Sequence, residues 1–389
     1  MVRILHVPPG FYPRVGGEEN HVLGWARQQV DLGNEVVVVA PEEGTPEVRE
    51  IDGILIRRVK TLMRFATADI TPSLPFRLLR EPADVFHAHY PMPWNADWGV
   101  LVGRLRRKPV VLTYTSDLGG RGLKGLFGML YNHTLLRLTL RLSHRIVVSS
   151  PHYPRLSAHL RRHQHKTVVI PPGVDTEHFR PIGTTREAHT VLFVGTLQEH
   201  HRYKGLESLL RAVKIARERV PELRLVVAGE GPKNNIFSRL AAELGIERHV
   251  HFLGFVPHKE LRTWYNRCAV FAMPSLSWHP GGFGIVSQES FGMVALEAMA
   301  CGAPTIVSHV VGMIEDIREY DAAAVVEPGN HQEIADILLY LLGNEARRRE
   351  LGRNSRRLAE ERYTWERVTA KTLSLYRELI EKHTGRKKP

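Results

Sequence analysis

Short runs of β-branched and aliphatic residues alternate with amphipathic helical patterns along nearly the whole chain. Apolar strands separated by helices are typical of parallel sheets, because the crossover helices cover both faces of the sheet. The alternation therefore predicts an α/β fold with two doubly wound parallel sheets in tandem. The predicted strands are Arg3–Val7, Glu35–Ala40, Ile54–Val59, Val85–Ala88, Val110–Tyr114, Arg145–Ser149 and Thr167–Ile170, followed by Thr190–Val194, Arg224–Ala228, Val250–Leu253, Ala269–Met273, Pro304–Val307 and Ala323–Val326.

A connection rich in proline and glycine separates the two sets of strands. It runs from Pro171 to Thr184, and neither a helix nor a central strand accommodates such a segment. At 389 residues the chain is long enough for two domains, each with its own core. We predict a first domain over residues 1–180, a second over 181–363, and a C-terminal helix within 364–389 that packs back across the first domain.

Composition excludes several classes of protein. The chain has 43% apolar and 24% charged residues, as an ordinary globular protein does. The apolar run near the N-terminus is too short for a signal peptide, and no apolar run reaches the length that spans a bilayer, so we expect a cytoplasmic protein. The two cysteines, Cys268 and Cys301, are expected to be small core residues, with no disulfide framework or zinc cluster.

The net charge of +12 is unevenly distributed. No Asp or Glu occurs from Leu118 to Val174, and basic residues continue through the wider stretch 104–166. Aliphatic residues mixed with arginines suit a helix on an anionic membrane surface, and they equally suit an ordinary solvated face. A nucleic acid has the least support, because no helix-turn-helix, zinc finger or aromatic RNA-binding motif accompanies the charge.

A glycine-bearing loop leads into a short helical pattern at Glu289–Gly302, which carries two glutamates. The apolar composition after Gly292 is helical, so Glu289 is expected in the loop and Glu297 in the first turns of the helix. N–H groups at a helix N-terminus attract phosphate, and a glycine lets an anion approach the backbone. Carboxylates on each side could accept hydrogen bonds from a ribose and a hexose. The segment therefore suggests a sugar-nucleotide site, with an ordinary amphipathic helix as the alternative.

Glycines also follow the first predicted strand of each domain. Gly16 and Gly17 precede a helix and suit close approach by a phosphate, although the loop lacks the Gly-x-Gly-x-x-Gly pattern of a dinucleotide-binding domain. In the second domain Gly195 closes the first strand. Lys204 stands before the next helix, where it could neutralise a diphosphate.

Taken together, these pieces resemble the glycosyltransferases of family four over nearly the whole chain. The motifs that carry the resemblance are Ile170–Asp175, Val226–Pro232, Phe252–Pro257, Ala272–Ser275 and Glu289–Gly302, in the order of the family. The resemblance implies the GT-B architecture of two facing Rossmann-like domains, with the ligand in the cleft between them. It also implies sugar transfer with retention of anomeric configuration, usually without a metal, so no metal or other cofactor is expected.

The resemblance assigns roles to individual residues. Lys204 with a nearby arginine would clamp the donor phosphates, Glu289 would contact the transferred sugar, and Glu297 would bind the ribose. Backbone N–H groups at the start of the helix would hold sugar and phosphate. The implied donor-binding residues are Gly16, Gly17, Gly195, Lys204, Phe291, Gly292, Met293, Val294 and Glu297, and the implied catalytic residues are Lys204, Arg202 and Glu289.

Several positions depart from the family pattern. Thr196 stands where the family commonly has an arginine, and Arg202 is the expected substitute. Thr115 stands where related transferases often carry a histidine, so that imidazole is absent. The loop 277–288 is longer than in the family and contains a second Gly-Phe-Gly, so the position of Glu289 rests mainly on its spacing to Glu297. The residues expected on the acceptor side are His21, His89, Thr115 and Asp117, with His87 as a further candidate.

These expectations define a hexosyltransferase. It would move a mannose or glucose type of hexose from a nucleotide diphosphate sugar, with GDP-mannose and UDP-hexoses as leading donors, to an acceptor hydroxyl. The preferred acceptor is a lipid-linked or membrane-surface glycan, because the acid-free stretch lies in the domain that binds acceptors in this family. Two alternatives stay open: a sugar-nucleotide epimerase of the same fold, and a non-catalytic binder of nucleotide or glycan.

Overall fold

The chain divides into two compact units. The computed structural model describes residues 1–14, 16–42, 49–65, 68–118, 122–232, 235–277 and 289–385. Met1–Gly173 and Trp365–Pro389 belong to the first unit, and Val174–Trp278 and Ser287–Thr364 to the second. Residues 174–180, which are predicted to lie in the first domain, belong to the second unit instead, because Val174 and Phe179 are buried in its core.

The first unit is built on an eight-stranded sheet with the order β10-β9-β8-β7-β1-β2-β4-β3. Its strands are β1 (Arg3–Val7), β2 (Glu35–Pro41), β3 (Glu50–Ile51), β4 (Ile54–Val59), β7 (Val85–Tyr90), β8 (Val110–Tyr114), β9 (Arg145–Val148) and β10 (Thr167–Val169), while β5 (Met63–Phe65) and β6 (Ala68–Ile70) form a separate hairpin. The described pairs of the main sheet are parallel except β3 with β4. Its helices are α1 (Gly17–Asp31), α2 (Leu74–Arg80), α3 (Asn95–Leu105), α4 (Gly122–His133), α5 (Leu135–Leu142), α6 (Tyr153–Leu156) and α14 (Trp365–Thr384), with a 3-10 helix at Arg161–Lys166.

The second unit has a six-stranded sheet with the order β13-β12-β11-β14-β15-β16, and its described pairs are all parallel. Its strands are β11 (Glu187–Val194), β12 (Arg224–Ala228), β13 (Val250–Gly254), β14 (Cys268–Met273), β15 (Thr305–Ser308) and β16 (Ala324–Val326). Its helices are α7 (Leu206–Arg217), α8 (Ile236–Glu243), α9 (His258–Arg267), α10 (Met293–Ala300), α11 (Ile314–Tyr320), α12 (His331–Gly343) and α13 (Glu345–Arg362), with 3-10 helices at Glu199–Lys204 and Glu247–His249. This strand order is that of the Rossmann fold.

Every strand predicted from the sequence is present, within a few residues at each end. The apolar runs are buried on both faces, as β7 and β14 show with every residue buried. The sequence analysis missed β3 and the β5–β6 hairpin, because segments this short carry no apolar run. Cys268 and Cys301 are buried and free, which confirms their predicted place in the core. Among the described residues, no helix combines the length and the apolarity needed to cross a bilayer.

The C-terminal helix α14 completes the core of the first unit. Buried Trp25 of α1 donates a hydrogen bond from Nε1 to Oγ1 of Thr372, at 3.1 Å. The indole of Trp365 lies against two glycines: a Cβ added at Gly24 would stand 2.4 Å from Cζ2, and one added at Gly173 would stand 2.5 Å from Cε3. The absence of a side chain at Gly24 therefore lets α14 approach α1, and its absence at Gly173 makes room for Trp365 against the segment after β10.

We predict opposite effects of Gly→Ala at two helical positions of the first unit. Gly24→Ala should destabilise the unit by about 1–3 kcal/mol, because the added methyl overlaps the Trp365 ring. Gly128→Ala in α4 is the matched control: its nearest neighbour is 4.0 Å away, so alanine should stabilise that helix by about 0.5–1 kcal/mol. Thermal unfolding of the two variants measures both. Equal midpoints would contradict the packing of Trp365 on Gly24.

Candidate functional site

The first cluster of candidate residues lies at the carboxyl edge of the second sheet, between β11 and β14. The strand order reverses there, and ligands of such sheets bind at this point. Gly195 follows β11 and donates its N–H to the carbonyl of Ala228, at 2.9 Å. A Cβ at Gly229 would lie 1.8 Å from the carbonyl oxygen of Gly195, so only glycine permits this contact. The loops after β11 and β12 are thus held backbone to backbone.

Lys204 and Glu289 form an ion pair at this edge. Lys204 Nζ lies 3.4 Å from Glu289 Oε2, and the side chains are only 15% and 12% exposed. Gly205 follows with φ +81°, and a Cβ there would lie 1.8 Å from the carbonyl oxygen of Pro274, so glycine is required. Burial is the largest single influence and lowers the pKa of Lys204, but the charge and hydrogen bond of Glu289, together with Tyr203 and Glu297, make the net shift upward. The lysine therefore stays a cation near neutral pH.

Arg202, predicted to replace the family arginine, is engaged elsewhere. Its guanidinium pairs with Glu207 in the first turn of α7, at 2.7 Å. Thr196, which stands where the family commonly has an arginine, is half-buried and donates from Oγ1 to the carbonyl of Glu230, at 3.3 Å. The structure thus brings Lys204 and Glu289 together but shows no contact of Arg202 with either of them among the described residues.

The predicted helix after Glu289 is α10, and it begins at Met293 as expected. Gly292 is its N-cap with φ +105°, a backbone conformation that favours glycine. The first N–H groups of a helix have no partner within it, so this N-terminus can bind an anion. Phe291 is buried against Tyr363, with ring centroids 5.3 Å apart, and can offer a ligand only its backbone. Met293 and Val294 are half-buried.

Glu297 lies in the body of α10 and is 6% exposed. The hydroxyl of Tyr265 donates to Oε2 at 2.9 Å, and Nε2 of His258 lies 2.8 Å from Oε1. Burial lowers the pKa of His258, but its hydrogen bond to Glu297 and the charge of that carboxylate raise it overall. Sequence analysis missed both partners. The available signal was that His258 and Tyr265 stand seven residues apart on α9, which places them on one face of a helix.

The Gly-Gly loop of the first unit leads into α1. Gly16 is the N-cap, and a Cβ there would stand 2.3 Å from Glu19 Oε2, whereas Gly17 has open space. Glu19 pairs with Arg14 at 3.0 Å. Glu18 is a residue that sequence analysis missed: its Oε1 is buried and has no hydrogen-bond partner among the described residues. Burial, reinforced by the charge of Glu19, raises the pKa of Glu18 to about 8.

Parallel pairing gathers histidines in the first unit. His6 on β1 pairs with His87 on β7, and because side chains alternate along a strand, His89 shares the face of His87. The three rings are at most 1% exposed. His6 Nδ1 lies 2.9 Å from His89 Nε2, and His6 Nε2 lies 2.8 Å from Gln29 Oε1. Since an amide oxygen only accepts, His6 donates from Nε2, and His89 donates to His6 Nδ1.

Burial keeps these imidazoles neutral. It lowers the pKa of His6 to about 4, and that of His87 and His89 well below the ordinary value of 6.5. His21 behaves alike, with a pKa of about 4 that also follows from burial. Its ring lies 5.0 Å from that of Trp25 and 5.4 Å from that of Trp365, centroid to centroid.

The rings of His6, His87 and His89 are also the one described group whose spacing would suit a metal ion, with ligand atoms within 4.8 Å of one another. Both nitrogens of His6 already have hydrogen-bond partners. So do those of His87, with Nε2 2.6 Å from Thr113 Oγ1 and Nδ1 close to the Tyr376 hydroxyl. An ion would have to displace this network, so we assign the cluster to the hydrogen-bonded core.

The remaining acceptor-side candidates follow β8 and have internal partners. Thr115 donates from Oγ1 to the carbonyl of Tyr90, at 2.8 Å. Asp117 Oδ1 accepts from the Tyr114 hydroxyl at 2.8 Å and from Ser157 Oγ at 2.7 Å. Both residues are half-buried at the carboxyl edge of the first sheet. The competing Gly-Phe-Gly before Glu289 lies outside the described residues.

Two family models match consecutive parts of the chain. "Glycosyltransferase Family 4" matches residues 15–178, and "Glycosyl transferases group 1" matches residues 174–358. The chain belongs to glycosyltransferase family four. Members of this family transfer a glycosyl group, so the chain is a glycosyltransferase and the GT-B expectation for its two Rossmann-like units is confirmed. The epimerase alternative gains no support, since both matched models describe transferases.

Two curated relatives match this chain over nearly its whole length. An uncharacterized glycosyltransferase of Methanocaldococcus jannaschii is 29% identical over 98% of this chain and 99% of its own. The O-antigen chain mannosyltransferase C of Escherichia coli is 29% identical with the same coverage, 98% and 99%. Among solved structures, sucrose-phosphate synthase from Thermosynechococcus elongatus gives a TM-score of 0.74 at 21% identity, covering 98% of this chain and 100% of that one. Anabaena HepE in complex with UDP-glucose gives 0.72 at 18% identity, covering 96% and 100%.

The neutral histidines predict acid sensitivity that is greatest in the first unit, where fully buried imidazoles are gathered, although burial also lowers the pKa of His178 and His249 in the second unit. Their pKa values in the folded chain lie below the ordinary value of 6.5, so the unfolded state binds more protons once the pH falls below 6.5. The free energy of unfolding of the first unit is therefore undiminished by these histidines above pH 6.5, and it decreases as the pH falls toward 4. Hydrogen exchange, corrected for its intrinsic pH dependence, should show β1 and β7 losing protection over this range. Strands of the second unit serve as the internal control, and equal loss in both units would contradict the prediction.

Proposed function

We propose that this glycosyltransferase is a retaining hexosyltransferase that moves mannose or glucose from a nucleotide diphosphate sugar to an acceptor hydroxyl. The observation that carries the proposal is the largely buried Lys204–Glu289 pair, with side chains 15% and 12% exposed, just before the N-terminus of α10 at the carboxyl edge of the second sheet. A protonated lysine and unpaired helical N–H groups are both suited to a diphosphate. Glu289 supplies a carboxylate for sugar hydroxyls beside them.

Glu297 has the geometry of a ribose ligand. Carboxylate oxygens have about four acceptor positions, of which Tyr265 and His258 occupy two. The remaining positions are available to the vicinal hydroxyls of a ribose. Because both oxygens are held by short hydrogen bonds, the carboxylate is oriented before the nucleotide arrives, which reduces the entropy lost on binding.

Charge stabilisation is the main catalytic task in this proposal. The bond from the anomeric carbon to the diphosphate oxygen breaks, and the acceptor oxygen bonds to the same carbon from the same face, so configuration is retained. The departing phosphate oxygen accepts the proton of the acceptor hydroxyl. Lys204 and the N-terminus of α10 stabilise the negative charge that develops on the diphosphate. The residues named act by positioning and charge, and no step in the proposal uses a metal.

The donor is proposed from the relatives. Anabaena HepE was solved with UDP-glucose, and the Escherichia coli relative is named as a mannosyltransferase. UDP-glucose and GDP-mannose are therefore the donors that we propose first. The acceptor that we propose is a lipid-linked or membrane-surface glycan.

Lys204→Ala should nearly abolish transfer without unfolding the chain. Removing a charged group that stabilises the developing charge costs about 2–4 kcal/mol, or roughly two to three decades in rate. Release of nucleoside diphosphate from the donor panel, with and without acceptors, measures the effect. Lys214→Ala, an exposed lysine of α7, is the matched control and should leave the rate unchanged.

Near-normal turnover of Lys204→Ala would remove this lysine from the mechanism.

The same assay tests the non-catalytic alternative. A non-catalytic binder would retain nucleotide affinity in a thermal-shift titration and would release no nucleoside diphosphate with any acceptor. Anomeric configuration of the product, read by proton NMR, tests retention.

We further propose that the first unit approaches an anionic membrane through the basic stretch 104–166, which would place the enzyme on the inner face of the cell membrane. Leu126 and Leu130 of α4 are 53% and 60% exposed, and Leu138 of α5 is 46% exposed next to exposed Arg137 and Arg141. Exposed leucines beside arginines suit insertion between acyl chains with the cations at anionic head groups. No carboxylate within residues 118–174 opposes that attraction.

Flotation with phosphatidylglycerol-containing vesicles tests the membrane surface. Wild-type protein should float with anionic vesicles at low salt, and Leu130→Ser with Leu138→Ser should reduce the floated fraction severalfold, because apolar area is lost. Leu62→Ser with Phe76→Ser is the control, since both side chains are exposed in the first unit but lie outside the stretch. Absence of wild-type binding at low salt would instead favour a soluble acceptor.

A further inference from the structure

A cavity of the second unit has arginine as the most frequent residue in its lining. It has a volume of about 760 Å³, which lies in the range of small-molecule sites. Its walls are the segment before β11, the end of α10 and one face of α13. We call it the arginine cavity, and its charged lining residues are Arg186, Arg348, Arg349, Arg353, Arg356, Arg357, Glu345 and Glu360.

The arginine cavity is separate from the donor site. Arg186 directly precedes β11, Ala269 lies at the start of β14, and Pro304 directly precedes β15. These lining residues mark the amino edge of the parallel sheet. The Lys204–Glu289 pair lies at the opposite, carboxyl edge, so neither the cavity nor its charge is used by the proposed transfer.

Several of the arginines bind backbone carbonyls, which satisfies their N–H groups but leaves their charge in place. Arg186 donates to the carbonyls of Tyr265, Cys268, Cys301 and Gly302 at 2.8–3.3 Å. Arg356 donates to those of Thr176, Phe179 and Ala300 at 2.8–3.1 Å, and Arg348 to those of Leu341 and Leu342. These contacts fix the cavity wall.

Carboxylates neutralise only part of the charge. Glu360 pairs with Arg356 and Glu345 with Arg349, each at 2.6 Å. Arg357 stacks over the Tyr320 ring at 5.2 Å. Within the described residues, no ion pair to a carboxylate is formed by Arg186, Arg348, Arg353 or Arg357. Burial lowers the pKa of Arg348; the charge of Glu345 opposes this shift, and the charges of Arg186 and Arg349 add to it.

Two glycines hold the α13 wall of the cavity against the end of α10. A Cβ at Gly352 of α13 would lie 2.5 Å from the carbonyl oxygen of Gly302, which follows α10 with φ +64°. α13 therefore packs backbone to backbone on the end of α10. The N-terminus of α13 lies at the cavity as well, where the carboxylate of Glu345 complements the positive end of the helix dipole.

We propose that the arginine cavity is a binding site for a small phosphorylated ligand that carries a diphosphate group. Guanidinium groups hold phosphate oxygens by paired hydrogen bonds. Arg353 and Arg357 donate no side-chain hydrogen bond within the described residues and can bind the ligand directly, while the arginines held by carbonyls contribute positive charge. A diphosphate has more anionic oxygens than a single phosphate and so can contact more of the positive charge that has no carboxylate partner.

Calorimetric titration with inorganic pyrophosphate tests the site directly. Arg349→Gln with Arg353→Gln changes two exposed arginines of the cavity, and Arg349 loses only a surface ion pair, which contributes little to stability. We expect this double variant to bind pyrophosphate at the cavity about tenfold or more weakly, because charged hydrogen bonds are lost. Arg219→Gln with Arg318→Gln removes the same charge from exposed positions outside the cavity and should bind as the wild type does.

The same titration in a Lys204→Ala background separates the cavity from the donor site. Pyrophosphate binding that persists in Lys204→Ala and is lost on adding the two cavity substitutions supports the proposal. Equal losses in the cavity and control variants would assign the binding to general electrostatic attraction and overturn it. Complete loss of binding in Lys204→Ala alone would also overturn it, because all of the pyrophosphate would then reside at the donor site.

Discussion

The order of strands in the second sheet is the constraint on which the donor site depends. β11 lies at the centre, with β12 on one side and β14 on the other, so the connections that leave β11 and β14 run in opposite directions. A crevice opens between them at the carboxyl edge. Gly195, Lys204 and the loop that contains Glu289 all come from these connections. Their proximity follows from the topology, since they are distant in sequence.

Buried titratable groups are stabilised in two ways. In one, charges are paired or hydrogen-bonded, as with Lys204 and Glu289 and with Glu297, Tyr265 and His258 in the second unit, and with Glu19 and Arg14 in the first. In the other, the buried imidazoles of the first unit are kept neutral by burial. Both solutions avoid an unpaired buried charge, which is costly in a medium of low dielectric constant. Only the paired solution leaves a fixed cation available to an anionic ligand.

Helix α10 connects the two regions of the second unit to which we assign ligands. Its N-terminus, capped by Gly292, lies beside the Lys204–Glu289 pair, and its last carbonyls accept hydrogen bonds from Arg186 and Arg356. Both contacts complement the helix dipole, with anion at the positive end and cations at the negative end. The cavity arginines thus have a structural role at α10 in addition to the binding role proposed for them.

The amino-acid sequence by itself determined the class of fold and much of the donor segment. Apolar runs interrupted by helical patterns identify strands locally, and Gly292 and Gly302 mark where α10 begins and ends, because their backbone angles favour glycine. Only the tertiary structure decided which side chains contact each other. Glu297 is held by His258 and Tyr265, Arg202 pairs with Glu207, and the pairing of β1 with β7 brings three histidines together. The arginines of α13 read as an ordinary charged helix in sequence, and only packing against the amino edge of the sheet gathers them around a cavity. Local patterns encode which face of an element is buried, whereas partners distant in the chain are fixed by strand order and register, which no local pattern contains.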